Sequence, residues 1–220
     1  MATTVHEPPR INADQPSSGG GWGNLPAAGF GRRVEDSSPA SRTGVWVGLA
    51  AITMTFAAFT SAMIIRQGSA YDWQHFTLPG VLYLDTAVLL ASSFTLELAR
   101  KAVSGYMHGA QALYSPARLY LWLTLALGVV FLGGQYTAWL QLRSEGLYLA
   151  TTPSSSFFYV FTVLHALHLL GGLAGLVLVV SRFSRSQPTL RISTLSTVSY
   201  YWHFMDVLWI YLLLLLWWRI

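Results

Sequence analysis

Two apolar stretches of the sequence each contain a pair of ionisable side chains three residues apart. His165 and His168 form one pair, and His203 and Asp206 form the other. Residues i and i+3 lie on the same face of a helix, and an ionisable group inside a membrane span costs roughly 2.5–3.5 kcal/mol on insertion scales. We therefore expect each pair to have hydrogen-bond partners or a function within the membrane.

These residue types suit three kinds of chemistry, of which cofactor ligation is the least favoured. A di-iron bundle requires Glu-x-x-His motifs, and the sequence contains none. A haem requires histidines that face one another, whereas two of these follow each other on one helix. We predict instead a buried hydrogen-bond network without metal ligands or catalytic groups, and a proton relay is the alternative. The predicted network consists of His165, His168, His203, Asp206 and Asp85.

Another apolar stretch, residues 78–99, also contains acidic residues. Glu97 lies near Arg100 and Lys101 at helical spacing, which predicts an ion pair at the end of a span. Asp85 lies deeper in the stretch and needs a partner from another helix. In the stretch after His168, small residues occur at helical spacing and predict close packing of a neighbouring helix. They are Gly171, Gly172 and Gly175.

The composition is typical of a membrane protein. Of the 220 residues, 53% are hydrophobic and 10% are charged, against about 25% charged in soluble domains. Crossing a bilayer takes roughly 20 helical residues, and five apolar runs are long enough: 44–65, 78–99, 119–142, 157–180 and 198–218. Backbone groups in lipid must be paired internally, and no period-two alternation suggests a barrel. The sequence therefore predicts an all-α, integral-membrane bundle of five transmembrane helices.

Several other classes of protein are disfavoured by the sequence. It contains no cysteine, so it has neither a disulfide framework nor a thiolate metal site. The formal net charge is +4, but the basic residues occur at the ends of apolar runs and not in a stripe, so nucleic acid is not a predicted partner. No nucleotide-binding loop or serine-nucleophile motif is present.

The basic residues also predict the direction of the spans. Nine Lys or Arg residues precede or connect spans on one side, and three lie on the other side. The nine are Arg32, Arg33, Arg42, Arg100, Lys101, Arg118, Arg182, Arg185 and Arg191, and the three are Arg66, Arg143 and Arg219. Because loops rich in positive charge stay in the cytoplasm, we predict a cytoplasmic N-terminus and a periplasmic C-terminus.

Residues 1–43 differ from the rest of the chain. They are rich in Gly, Pro, Ser and Asp and lack the apolar centre of a signal peptide. Such a segment buries too little apolar surface to offset the entropy of ordering. We predict a disordered cytoplasmic tail over 1–43 and a transmembrane domain over 44–220.

Four segments resemble motifs of subunit III of the haem–copper oxidases, in its short five-helix bacterial form. Segment 85–95 contains the family's Ser-Ser and Thr, here Ser92, Ser93 and Thr95. Segment 131–139 contains the family's glutamine, here Gln135. Segment 165–172 matches the His-x-x-His signature with its glycines, and segment 201–209 matches the closing Tyr-Trp-His-Phe-x-Asp-x-x-Trp. The resemblance covers about residues 44–218. The family usually has glutamates where this chain has Ile52 and Ala138, and an asparagine at Asp85.

The resemblance implies an accessory subunit of the bacterial cytoplasmic membrane with no redox centre of its own. Such a subunit packs against the catalytic subunit I, binds phospholipid and supports proton uptake, in a complex that reduces oxygen to water and pumps protons. Haem and copper are expected in the partner subunits, and subunit II, small subunits or a respiratory supercomplex are further partners. Residues expected to contact lipid or pack helices are Ser92, Ser93, Glu97, Gln135, Gly171, Gly172, Gly175 and Trp202.

Several alternatives stay open at this point. The electron donor of such a complex is cytochrome c or quinol. An accessory subunit of a nitric oxide reductase is the nearest other function. An independent transporter would call for broken helices or an inverted repeat, which the sequence does not suggest.

The resemblance also predicts an exposed polar surface. The family's longer form has two further helices that form one arm of a lipid-filled cleft. Without that arm we expect Asp85 and the Ser92, Ser93 and Thr95 cluster to face outward, where unpaired polar groups are costly. Extra helices on subunit I, an added subunit or ordered lipid headgroups are then expected to cover them.

Overall fold

Five long helices form the described part of the computed structural model, which covers residues 38–69, 71, 73, 76–185 and 192–219. They are α1 (Ser38–Ser69), α2 (Val81–Met107), α3 (Tyr114–Ser144), α4 (Pro153–Ser184) and α5 (Ile192–Arg219), with a 3-10 turn at Gln111–Leu113. Each is long and apolar enough to cross a membrane. The predicted all-α architecture of five spans is therefore confirmed, while the direction of the spans stays a prediction.

The helices are longer than the apolar runs that predicted them. Helix α1 begins at Ser38, so its first turns lie in the segment assigned to the tail; residues 1–37 of that predicted tail lie outside the described residues. Helix α2 begins at Val81, after a turn in which the Leu82 amide donates to the Pro79 carbonyl at 3.1 Å. Hydropathy marks only the part of a helix in hydrocarbon, whereas backbone pairing continues into the interface.

The connection between α3 and α4 is held by local hydrogen bonds. The hydroxyl of Thr152 accepts from the Ser155 amide at 3.2 Å, and the Ser155 hydroxyl accepts from the Thr152 amide at 3.2 Å. This capping box satisfies two amides at the start of α4, and Pro153 at the first helical position needs no such partner. Gly146 supplies the positive φ of 80° at the end of α3. The loop is thereby fixed against the two helices that it joins.

Four of the helices form a closed arrangement. Helix α2 packs against α3, α3 against α4, α4 against α5, and α5 against α2, while α1 lies outside against α4 and α5. Large side chains from the four helices fill the space between them, among them Leu89, Phe131, Leu169, Trp202 and Trp209, each at most 1% exposed. Many exposed large side chains are apolar, including Met54, Leu119, Val130, Leu167 and Leu178, as expected of a surface in lipid.

The expected exposure of the polar residues on α2 is wrong for most of them. Asp85 is 2% exposed, Ser92 is 0% exposed and Thr95 is 9% exposed. Helices α3 and α5 of the same chain cover this face of α2, so no added arm is needed to shield it. Ser93 alone of the cluster is half-buried, because it lies at the edge of the contact with α5.

Candidate functional site

Asp85 finds its partner on α3. The side-chain amide of Gln135 donates to its carboxylate at 3.0 Å, and both residues are at most 2% exposed. Gly134 lies beside the same carboxylate, since a methyl group added at Gly134 would overlap the Asp85 carboxyl atoms. The carboxylate therefore lies against the α3 backbone, where a larger residue would exclude it.

A second group joins α2 to α5 near the middle of both helices. The hydroxyl of Ser93 donates to the carboxylate of Asp206 and lies 3.1 Å from Nδ1 of His203. That imidazole nitrogen is 3.8 Å from the Asp206 carboxylate. The His203 side chain is 41% exposed and that of Asp206 is 6% exposed. The carboxylate is thus inside the bundle and the imidazole is at its surface.

His165 lies apart from these groups. Its ring is fully buried between Phe131, at a centroid distance of 6.2 Å, and Trp209, at 5.1 Å. Within the described residues, neither ring nitrogen has a hydrogen-bond partner. Aromatic rings are therefore the contacts of this histidine, and no carboxylate among the described residues bonds to it.

His168 faces a different neighbour from His165. Its Nδ1 lies 2.7 Å from the Leu164 carbonyl of its own helix, and its ring is 5.9 Å from that of Phe56 on α1. The backbone carbonyl of His168 accepts from the Tyr201 hydroxyl at 2.8 Å. The predicted network residues are therefore divided among separate groups. Asp85 lies with Gln135, Asp206 lies with His203 and Ser93, and the α4 histidines occupy two further environments.

The geometry of these groups bears on ligand binding. Among the described residues, no three or more His, Cys, Asp or Glu side chains come together in a way that could hold a metal ion. The rings of His165 and His168 also have different neighbours, although the two residues share a helix. What the arrangement does is to join helices by hydrogen bonds inside the bundle.

Two indole hydrogen bonds between helices involve residues outside the predicted set of site residues. The indole of Trp209 donates to the Thr86 hydroxyl at 3.0 Å, and the indole of Trp139 donates to the Thr162 hydroxyl at 3.1 Å. The sequence-predicted Trp202 donates in the same way to Ser92 at 3.1 Å. Each bond pairs a Trp with a hydroxyl residue on another helix, so no local spacing could have revealed the partners.

The remaining predicted residues have packing or surface positions. Arg100 donates to Glu97 at 2.9 Å, and the two side chains are 35% and 32% exposed. Among the glycines of α4, Gly172 has the closest neighbour, because a methyl group there would lie 3.0 Å from the Tyr201 ring. The corresponding distances are 3.6 Å at Gly171 and 3.4 Å at Gly175. Close approach of α5 therefore depends most on Gly172.

An apolar cleft opens between α1, α3 and α4, beside the 145–152 loop. Its volume is about 890 Å³. Its walls include Phe59, Leu140, Val163 and Leu164. Arg143, in the last turn of α3, and Tyr148 also line it. The hydroxyl of Tyr159, another wall residue, donates to the Leu147 carbonyl at 2.9 Å, which ties the loop to the cleft.

Comparisons with known proteins identify similar chains. Residues 49–220 match the family model described as cytochrome c oxidase subunit III. The chain is 36% identical over 131 residues to a probable cytochrome c oxidase subunit 3 of Nocardia farcinica. The aligned segment covers 57% of this chain and 59% of the relative. It is 34% identical over 138 residues to the cytochrome c oxidase subunit 3 of Corynebacterium diphtheriae, 62% of this chain and 63% of the relative.

A third relative is matched over a longer segment. The chain is 29% identical over 179 residues to the cytochrome c oxidase subunit 3 of Thermostichus vulcanus, which covers 79% of this chain and 84% of the relative. The chain thus spans about three fifths of the first two relatives, at 59% and 63%.

Proposed function

Because the chain belongs to the cytochrome c oxidase subunit III family, we propose that it is an accessory subunit of a haem–copper terminal oxidase. In this proposal it packs against the catalytic subunit in the bacterial cytoplasmic membrane and stabilises it. The partner subunits carry the haem and copper and reduce oxygen to water. This chain contributes no redox ligand, and its buried Asp85, His165 and Asp206 serve the packing of its helices.

The observation that carries this proposal is the pairing of polar side chains between helices. Gln135 joins α3 to Asp85 of α2, Ser93 joins α2 to Asp206 of α5, and Thr86 accepts from Trp209. Hydrogen bonds between membrane helices contribute about 0.6–1.7 kcal/mol each. A bundle joined at several depths in this way is suited to present a fixed surface to a partner.

We also propose that the cleft between α1, α3 and α4 binds a phospholipid. The cleft has a volume of about 890 Å³ and mostly apolar walls, and Arg143 lines it from the last turn of α3. Apolar walls suit an acyl chain, and a cation at the end of a span is positioned to meet a lipid phosphate. Anionic phospholipid is therefore the proposed ligand.

Support for proton uptake is the third part of the proposal. Glu97 and Arg100 form an ion pair of 2.9 Å with both side chains about one third exposed, at 32% and 35%. They lie in the half of α2 that the charge bias places toward the cytoplasm, where protons enter an oxidase. Glu97→Gln is expected to reduce the rate of proton uptake at full assembly, and Glu145→Gln at the opposite end of the bundle is the control.

The main test is affinity purification of the tagged full chain from native membranes in a mild detergent. We expect haem-containing polypeptides and oxygen uptake in the eluate, and neither with an equally tagged membrane protein of another family. A haem Soret band from the chain purified alone would overturn the assignment of the redox centres to partners. Co-purification with nitric oxide reduction but no oxygen uptake would favour the nitric oxide reductase alternative.

The lipid site is tested by mass spectrometry of lipids that remain bound after purification. Arg143→Gln is expected to lower the bound anionic phospholipid, while Arg143→Lys retains it because the charge stays in place. Arg118→Gln, at the other end of α3, is the matched control. Equal lipid content in all of these variants would contradict the site.

A further inference from the structure

The lateral surface between α2 and α5 carries polar side chains at helical spacing. Ser93, Glu97 and Arg100 of α2 follow the i, i+4, i+7 pattern of one face and are half-buried. On α5, the exposed Tyr200 and the half-buried His203 are i and i+3. We define these five residues as the polar seam. Arg100 donates to Glu97 within α2, and the hydroxyl of Ser93 lies 3.1 Å from Nδ1 of His203, so the seam is continuous across the two helices.

The depth of the seam excludes lipid headgroups at its centre. Helix α2 has 27 residues and α5 has 28, which is roughly 40 Å at 1.5 Å per residue. Ser93 and His203 lie near the midpoints of these helices. A hydrocarbon core is about 30 Å thick, so the midpoint is roughly 15 Å from either headgroup layer. Acyl chains are the only lipid groups at that depth, and they offer no hydrogen bond.

His203 brings an unused hydrogen-bonding atom to this surface. Its Nδ1 faces Ser93 and Asp206, at 3.1 and 3.8 Å. Its Nε2 has no hydrogen-bond partner among the described side chains, and the side chain is 41% exposed. The other half-buried histidine in a span, His168, instead directs Nδ1 to a carbonyl of its own helix at 2.7 Å. No described residue thus satisfies Nε2 of His203 at mid-membrane, and its exposure leaves this nitrogen accessible to a group on a neighbouring helix.

Other lateral surfaces of the bundle contrast with the seam. Large exposed side chains on α3 and α4 include Leu119, Val130, Leu167 and Leu178. These surfaces suit acyl chains. Two exposed apolar side chains flank the seam, Leu90 at 50% exposure and Val207 at 66%. The seam therefore combines polar atoms with apolar contact area.

We propose that the polar seam is the surface on which the catalytic subunit docks, through a transmembrane helix that hydrogen-bonds Nε2 of His203. This inference rests on the proposed function, since it assigns the surface for the partner named there. A protein helix is the occupant because it alone can bring a hydrogen-bonding group to the middle of the bilayer together with apolar side chains that cover Leu90 and Val207.

The test is photo-cross-linking of the full chain in native membranes. A benzophenone amino acid replaces Val207 or Leu90 beside the seam. The control is the same replacement at Leu167, which lies on α4 and is 58% exposed. We expect Val207 and Leu90 to give adducts with a haem-binding polypeptide and Leu167 to give none. Adducts with that polypeptide from Leu167 but not from Val207 or Leu90 would overturn the docking surface and leave the proposed function intact. Adducts from the seam only with a polypeptide of no oxidase complex would overturn both.

A second measurement isolates the hydrogen bond. His203→Leu is expected to reduce the amount of catalytic subunit recovered with the tagged chain by about 3- to 20-fold, the range that one hydrogen bond between membrane helices provides. His203→Gln is expected to restore most of it, because an amide can replace the imidazole as donor or acceptor. Resistance of the isolated variants to unfolding in SDS distinguishes a lost contact from a misfolded chain. Unchanged recovery with a normally folded His203→Leu chain would contradict the proposal.

Discussion

The side-chain amide of Gln135 donates to the carboxylate of Asp85 at 3.0 Å, and this single bond crosses between α3 and α2 where both residues are buried. Neither residue has a polar partner in its own helix for these atoms, so each depends on the other. The Oε1 atom of Gln135 has no partner within the described residues. The pair thus relies on one hydrogen bond, and its removal has a measurable cost.

Gln135→Leu is expected to lower the free energy of unfolding by about 1–3 kcal/mol, because it leaves a buried carboxyl group without a partner. The measurement is unfolding of the purified chain in mixed micelles with increasing SDS. The double variant Asp85→Leu, Gln135→Leu should recover most of the loss, since removal of both polar partners is close to neutral. Equal destabilisation by the single and double variants would show that the bond does not couple the two sites.

Adjacent glycines on α3 offer a matched comparison of helix packing. A methyl group at Gly134 would overlap the Asp85 carboxyl group, whereas one at Gly133 meets no atom within 4 Å. Gly134→Ala is expected to destabilise the chain by about 1–3 kcal/mol. Gly133→Ala should be neutral or more stable by up to about 1 kcal/mol, because alanine favours the helix.

The same SDS titration measures both glycine variants. An equal response of Gly133→Ala and Gly134→Ala would mean that α2 and α3 are not in close contact at this point. It would also remove the packing reason for a glycine beside Asp85.

Substitutions of His165 are expected to separate the contribution of packing to stability from that of hydrogen bonding. Because its ring contacts Phe131 and Trp209 and has no hydrogen-bond partner among the described residues, its volume should matter more than its nitrogens. His165→Ala is expected to cost about 2–4 kcal/mol through the cavity that it leaves. His165→Leu, which is close in volume, should cost less than about 1.5 kcal/mol.

Both His165 variants should leave the haem spectrum of an assembled complex unchanged. Loss of that spectrum at full occupancy of the subunit would identify His165 as a ligand and contradict the packing role. A larger loss of stability from His165→Leu than from His165→Ala would point to hydrogen bonds made by the ring.

The direction of the spans is tested by labelling introduced cysteines, since the chain has none of its own. Gln111→Cys lies between α2 and α3, and Glu145→Cys lies between α3 and α4, and both positions are exposed. A maleimide that does not cross membranes should label Glu145→Cys in intact cells. It should label Gln111→Cys only after the membrane is opened. The opposite pattern would reverse the predicted topology.

The sequence by itself determined the membrane class, the number of spans and the family. These follow from the length and composition of the apolar runs and from motifs such as His165 with His168, because hydropathy and spacing are local properties of the chain. The sequence also predicted the ion pair of Glu97 with Arg100, found at 2.9 Å, because residues three apart on a helix are neighbours in any fold. The predicted helix ends were less accurate than the predicted number of helices. Backbone hydrogen bonding continues beyond the hydrocarbon region, and hydropathy detects only that region.

Only the tertiary structure decided which polar residues meet. The spacing suggested that His165, His168, His203, Asp206 and Asp85 join one network, but the rotation of each helix about its axis places them in separate environments. Asp85 turned toward Gln135 and is buried, so its expected exposure was wrong. The rotation of a helix depends on how all its neighbours pack at once, and Gly134 and Gly172 set those distances. No local pattern contains that information, so the partner of Asp85 and the aromatic neighbours of His165 could be identified only from the packed bundle.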